Sequence, residues 1–168
     1  DGDIRVSLGR IAKPGGKAEP LGGGRFRADP MLNTTESSLQ QALIFKYGEV
    51  VVKSPAQPSK PVYSFFVDSG KNVLHLQLRT STPVNLSAWL EGEGGKASPL
   101  KEQKRAVFRK GETALVILCD GMEPREDASF HTLEPLKVFD LQVHIVAPEK
   151  PTSVEDAIRA VNKTDVNG

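Results

Sequence analysis

Cysteine is almost missing. Cys119 is the only one in 168 residues, which excludes an intramolecular disulfide and a cysteine-built zinc cluster. A charge excess is missing too: 22 Lys and Arg face 21 Asp and Glu, leaving +1 at neutral pH. Without a polyelectrolyte signature, neither nucleic acid nor an anionic membrane is an expected partner. No apolar run approaches the roughly 20 residues that cross a bilayer, and no charged segment leads into an apolar stretch at the start. The chain therefore reads as soluble, with no membrane insertion. Its first residue is Asp rather than Met, the mark of processing, heterologous expression or a fragment. Histidine is sparse: His75, His131 and His144 are far apart, with no companion at metal-ligand spacing. No metal or cofactor is expected. A domain of this length buries roughly 70% of its unfolded surface, so the core needs no covalent staple.

What is present is a period of two. Ile4, Val6 and Leu8 alternate with Arg5 and Ser7, after which Pro14-Gly15-Gly16 and Gly22-Gly23-Gly24 mark residues 13–25 as an irregular loop. Ala42 to Phe45 and Glu49 to Val52 read as short strands around Tyr47-Gly48, with a helix over 36–46 as the alternative. Pro55, Pro58 and Pro61 punctuate a loop before the richest β stretch. There, Val62 to Asp68 ends in an Asp68-Ser69-Gly70-Lys71-Asn72 turn, and Val73 to Thr80 places Leu74, Leu76 and Leu78 on one face. Ser81-Thr82-Pro83 reads as a hairpin turn into a strand with Val84, Leu86, Ala88 and Leu90 inward. Residues 92–104 read as a loop. Strands resume at Ala106 to Phe108 and Thr113 to Leu118, around Arg109-Lys110-Gly111-Glu112. Asp120 to His131 reads as a polar connection before a last strand from Leu136 to Val146.

About eight or nine strands with almost no helix predict a mainly β fold, an antiparallel β-sandwich, over residues 1–150. Residues 151–168 read as a short amphipathic helix or a linker to a missing domain. Thr152 and Glu155 have capping-box spacing, and Val154, Ala157, Ile158 and Val161 form an apolar stripe.

The motifs of common chemistries do not assemble. Gly15-Gly16-Lys17 lacks the hydroxyl and the leading glycine of a phosphate loop, and no Gly-x-Ser-x-Gly elbow occurs. Carboxylates cluster at Glu91 with Glu93 and among Asp120, Glu123, Glu126 and Asp127, but loop neighbours do not establish glycosidase geometry. Sequons at Asn33, Asn85 and Asn162 matter only in a eukaryotic secreted protein. No catalytic residue is assigned.

One surface stands out. Trp89 is the only tryptophan, and the alternation turns it outward beside a strand whose outer residues are His75, Gln77 and Arg79, with Glu91 two positions on. An indole offers a flat apolar face to sugar C–H groups, while Arg, Gln and Glu bond hydroxyls. Trp89, Arg79, Gln77, His75 and Glu91 are therefore the candidate carbohydrate or domain-interface residues.

Four stretches carry a family likeness: Arg5-Val6-Ser7-Leu8-Gly9-Arg10-Ile11; Leu39-Gln40-Gln41-Ala42-Leu43 running into Gly48-Glu49-Val50-Val51-Val52; Phe66-Val67-Asp68-Ser69-Gly70-Lys71-Asn72-Val73-Leu74-His75-Leu76; and Leu86-Ser87-Ala88-Trp89-Leu90-Glu91. Together they resemble the N-terminal β-sandwich of bacterial glycoside hydrolases related to family 95, which includes α-L-fucosidases. The resemblance implies a sandwich preceding a helical (α/α)6 barrel that holds the catalytic carboxylates. That barrel is absent from this sequence, so no catalytic residue carries over. The expected function is a non-catalytic accessory domain of a carbohydrate-active enzyme, bracing the barrel and shaping its cleft. Its expected partners are the helical catalytic domain and a glycan. The alternative is a free-standing binding, adhesion or structural-assembly sandwich.

Overall fold

The alternation from Val73 to Glu91 builds one strand rather than a hairpin. The computed structural model describes residues 4–10, 17, 19–29, 40–44, 49–53, 61–68, 70–147 and 153–163. Among them are twelve strands: β1 Ile4–Arg10, β2 Glu19–Asp29, β3 Gln40–Ile44, β4 Glu49–Lys53, β5 Pro61–Asp68, β6 Val73–Glu91, β7 Lys96–Leu100, β8 Arg105–Lys110, β9 Thr113–Cys119, β10 Met122–Pro124, β11 Phe130–Thr132 and β12 Leu136–Val146. Helix α1, Val154–Ala160, follows. The fold is mainly β and antiparallel with one short C-terminal helix, as the periodicity predicts. All twelve strands join one hydrogen-bonded network, in the order β3-β4-β5-β6-β12-β9-β8-β7, with β2 and β11 also on β6, β1 on β2 and β10 on β11.

β6 changes partners midway. Its upper limb, residues 73–84, pairs with β5 and β12; its lower limb, residues 85–91, pairs with β2 and β11. Val84 lies opposite Leu136 and Arg79 opposite Val138, so Thr80 to Pro83 face Lys137 alone across a bulge. The Thr80 hydroxyl donates to the Thr82 carbonyl at 2.7 Å, satisfying backbone that the ladder leaves open. Pro83 lacks an N–H but does not end the strand, because a bulge is where a strand tolerates proline. The predicted Ser81-Thr82-Pro83 turn is thus a bend within one strand.

Inward residues of both limbs fill one core. Leu74, Leu76 and Leu78 from the upper limb and Val84, Leu86, Ala88 and Leu90 from the bend and lower limb meet Phe26, Phe108, Ile117, Phe130 and Phe139. Segments that read as loops also carry strands. β2 runs through Gly22-Gly23-Gly24, where Gly22 sits at φ +131° and a Cβ would lie 2.9 Å from the Phe108 ring. β7 lies within 92–104 and β10 within 120–131, and β11 starts at Phe130 in that segment and runs on to Thr132. The helix alternative for 36–46 gives way to β3.

α1 packs on the outer face of the upper limb's sheet. Ile158, with Val154, Ala157 and Val161, joins Val107, Val116 and Val146 in a second core. Ser153 caps it, its hydroxyl oxygen accepting from Asp156 N–H at 3.1 Å. Thr152, Pro14 to Gly16, Tyr47-Gly48, Pro55, Pro58, Pro148 and Pro151, and the sequon residues Asn33 and Thr164, lie outside the described residues.

Candidate binding face around Trp89

Because Leu86, Ala88 and Leu90 point into the core, Asn85, Ser87, Trp89 and Glu91 project from the other face of the lower limb. The ladders decide what stands beside them. Arg25 lies opposite Trp89 and Arg27 opposite Ser87 on β2, while His131 on β11 lies opposite Ser87 on the other side. The Arg25 guanidinium carbon is 4.2 Å from the centroid of the Trp89 ring and that of Arg27 is 5.9 Å away. His131 meets the indole at 80°, with ring centroids 6.0 Å apart. Arg25 Nε also lies 3.6 Å from Glu91 Oε2. Trp89 is thus half-buried in a frame of polar side chains.

A hydrogen-bonded chain runs beside it. Ser87 Oγ lies 2.9 Å from His131 Nδ1, and His131 Nε2 lies 2.7 Å from Ser129 Oγ. Ser129 donates to Asp127 Oδ1 through both its hydroxyl and its backbone N–H, the latter at 3.0 Å. The turn holding these residues closes through Arg125 N–H to Ser129 C=O at 2.8 Å, with Ala128 at φ +62°. The Ser129 hydroxyl holds the Asp127 carboxyl below its ordinary value, with the Ser129 N–H second. Burial lowers the His131 pKa, aided by Arg125 and opposed by Asp127, so the ring is neutral at neutral pH. A carboxylate only accepts; hence Ser129 O–H donates to Asp127 and its oxygen accepts from His131 Nε2–H. Nδ1 is left to accept the proton of Ser87 O–H.

Glu91 also lines a crevice of about 330 Å³ with Arg5, Ser7, Gly23, Glu93 and Lys110. Lys110 Nζ donates to the carbonyl of Pro20, another residue of the lining, at 2.8 Å. The chain's single thiol takes no part: Cys119 is buried, and burial pushes its pKa up to about 12.

The five residues singled out by sequence divide between the limbs. Trp89 and Glu91 belong to the lower limb, whereas His75, Gln77 and Arg79 stand on the outer face of the upper one. Without a turn at 81–83 the two sets are not side by side. Arg79 to Trp89 spans ten residues, roughly 30 Å of strand path. Arg79 is exposed and Gln77 half-buried, but His75 is only 1% exposed. His75 stacks on Phe66 with ring centroids 4.5 Å apart, lies opposite Gln142, and its Nδ1 has no hydrogen-bond partner among the described residues. Outward alternation places it correctly, but the Phe66 ring stacked on it and the buried Gln142 beside it on β12 keep it from water. Arg25, Arg27, Ser87 and Ser129 were not singled out in the sequence, and His131 and Asp127 were noted there only as an isolated histidine and one of a group of loop carboxylates. The only local signal was the Arg25-Phe26-Arg27 alternation, hidden by the glycines before it.

Among the described residues no cluster of His, Cys, Asp or Glu is placed to hold a metal ion, and no helix is long and apolar enough to cross a membrane. No protein-family model matches the chain, and no curated protein matches it in sequence.

Proposed function

We propose that this chain is an accessory β-domain of a carbohydrate-active enzyme, one that cleaves no glycosidic bond itself and meets a glycan through the face around Trp89. The same domain braces the helical catalytic barrel that the family 95 resemblance implies. The observation carrying the reading is the half-buried indole of Trp89, framed by Arg25, Arg27 and His131, with Glu91 leading into a crevice of about 330 Å³. Flat apolar surface beside planar charged groups is what a pyranose ring requires, C–H groups on the indole and hydroxyls on guanidinium and carboxylate.

Trp89 is the only tryptophan, so tryptophan emission, excited beyond the absorption of the two tyrosines, reports on this site alone. Titration with fucosylated and galactosylated oligosaccharides is expected to shift that emission saturably. Glu91→Ala should weaken the response, and Arg79→Ala, on the other limb, should leave it intact. Aryl α-fucosides and α-galactosides should not be cleaved. Binding of equal strength in Trp89→Ala, measured calorimetrically, would overturn the assignment.

A further inference from the structure

We propose that Ser87 is a nucleophilic serine, activated by His131 and able to accept an acyl group from a small ester. The inference stands apart from the glycan reading, since it needs no sugar. It rests on the direction of the hydrogen bonds. Asp127 fixes the Ser129 hydroxyl, Ser129 fixes the Nε2–H tautomer of His131, and Nδ1 is left facing the Ser87 hydroxyl at 2.9 Å. A nucleophile bonded to a base, whose other nitrogen is oriented by a group bonded to a carboxylate, is the constellation that raises hydroxyl reactivity.

Access matches the roles. Ser129 is fully buried, as an orienting group should be, whereas Ser87 and His131 at the open end are half-buried beside the Trp89 indole. Arg27, opposite Ser87, places a cation on the same face. The groups around His131 are Ser87 and Trp89 of β6, Glu123 of β10, and Arg125, Asp127 and Ser129 of the preceding turn.

The chemistry balances within these residues, the ester and water. Ser87 Oγ forms a bond to the acyl carbon, the carbonyl π pair moves onto oxygen, and the Oγ proton passes to His131 Nδ1. On collapse the bond to the leaving oxygen breaks, and Nδ1 returns the proton to it as the alcohol departs. Water then attacks acyl-Ser87 through the same base, releasing the acid and regenerating the hydroxyl.

The test exposes the full chain to a fluorophosphonate and, separately, to p-nitrophenyl acetate, with intact-mass analysis and peptide mapping. A single adduct on Ser87 is expected, absent in Ser87→Ala. His131→Phe should slow labelling by about 100-fold or more. The labelling rate should rise with pH through an inflection below 6.5, the ordinary histidine value, because burial lowers the His131 pKa. Asp127→Asn alters an exposed side chain and should move that inflection lower still, by removing the anion that raises it. No adduct on the folded wild-type chain, an adduct mapped to another residue, or a rate indifferent to Asp127→Asn would each overturn the proposal. Loss of sugar binding without loss of labelling would count against the glycan reading alone.

Discussion

Arg25 and Trp89 face each other across the β2–β6 ladder, and the guanidinium carbon sits 4.2 Å from the centroid of the indole ring. Arg25 thereby links Trp89 to Glu91, whose carboxylate lies 3.6 Å from its Nε. A partly exposed cation–π contact contributes about 0.5–1 kcal/mol, and an exposed ion pair less. Arg25→Ala should therefore lower unfolding stability by about 1 kcal/mol while shifting Trp89 emission to the red, as water reaches the ring. Urea denaturation followed by emission measures both at once; an unchanged spectrum would place the guanidinium elsewhere.

Arg105 ties the C-terminal helix to the sheet. Its buried guanidinium donates through Nη1 to the carbonyls of Ile158 at 2.6 Å and Arg159 at 3.3 Å, and through Nη2 to that of Val161. These are carbonyls at the C-terminal end of α1, where a cation also answers the helix dipole. Arg105→Ala should cost about 2–4 kcal/mol and speed amide exchange over Val154–Ala160 far more than in β9. Arg105→Lys should not restore protection, since one ammonium cannot reproduce the planar fork.

Acid should loosen the sheet around His75 of β6 and His144 of β12. Burial, with His75 and Arg105 nearby, lowers His144 from its ordinary 6.5 to about 4, and burial lowers His75 as well. Because the folded values lie below the unfolded one, the unfolded chain binds more protons between them. Stability is therefore complete above about pH 6.5 and declines as the pH falls toward 4. His144→Gln, a neutral hydrogen-bonding replacement, should flatten the wild-type decline in melting temperature across that window. A difference between the two proteins that is constant with pH would refute the linkage.

Side-chain alternation was readable in the sequence because it depends only on parity. Leu74, Leu76, Leu78, Val84, Leu86 and Leu90 are all buried, and the bulge at Thr80 to Pro83 leaves that parity intact. Strand continuity was not readable, since Pro83 carries the same local signal in a bulge as in a turn. Gly22 to Gly24 likewise read as breakers, although in β2 they allow close approach of β1 and of the Phe108 ring. The three-residue strands β10 and β11 are too short to show a period. For the same reason the Ser87–His131 pair stayed hidden: the two residues are 44 apart, and only the β6–β11 register brings them together.

That register makes its sharpest prediction in a comparison of Leu76 with Trp89. Leu76 is 2% exposed within the shared core, whereas Trp89 lies half-buried on the outer face of the lower limb. Truncating a buried leucine removes its transfer free energy and leaves a cavity, so Leu76→Ala should destabilise the domain by about 2–5 kcal/mol. Trp89→Ala opens no cavity inside the core and forfeits mainly the Arg25, Arg27 and His131 contacts. Its stability loss should be clearly smaller, with its larger effect on docking or glycan binding, where a packed aromatic anchor contributes on the order of 2 kcal/mol. Parallel guanidinium melts of the two variants, followed by circular dichroism so that loss of the only tryptophan does not matter, decide it. Equal destabilisation would mean that the indole is part of the core, and that the outer face of Trp89, Arg25, Glu91 and His131 does not exist.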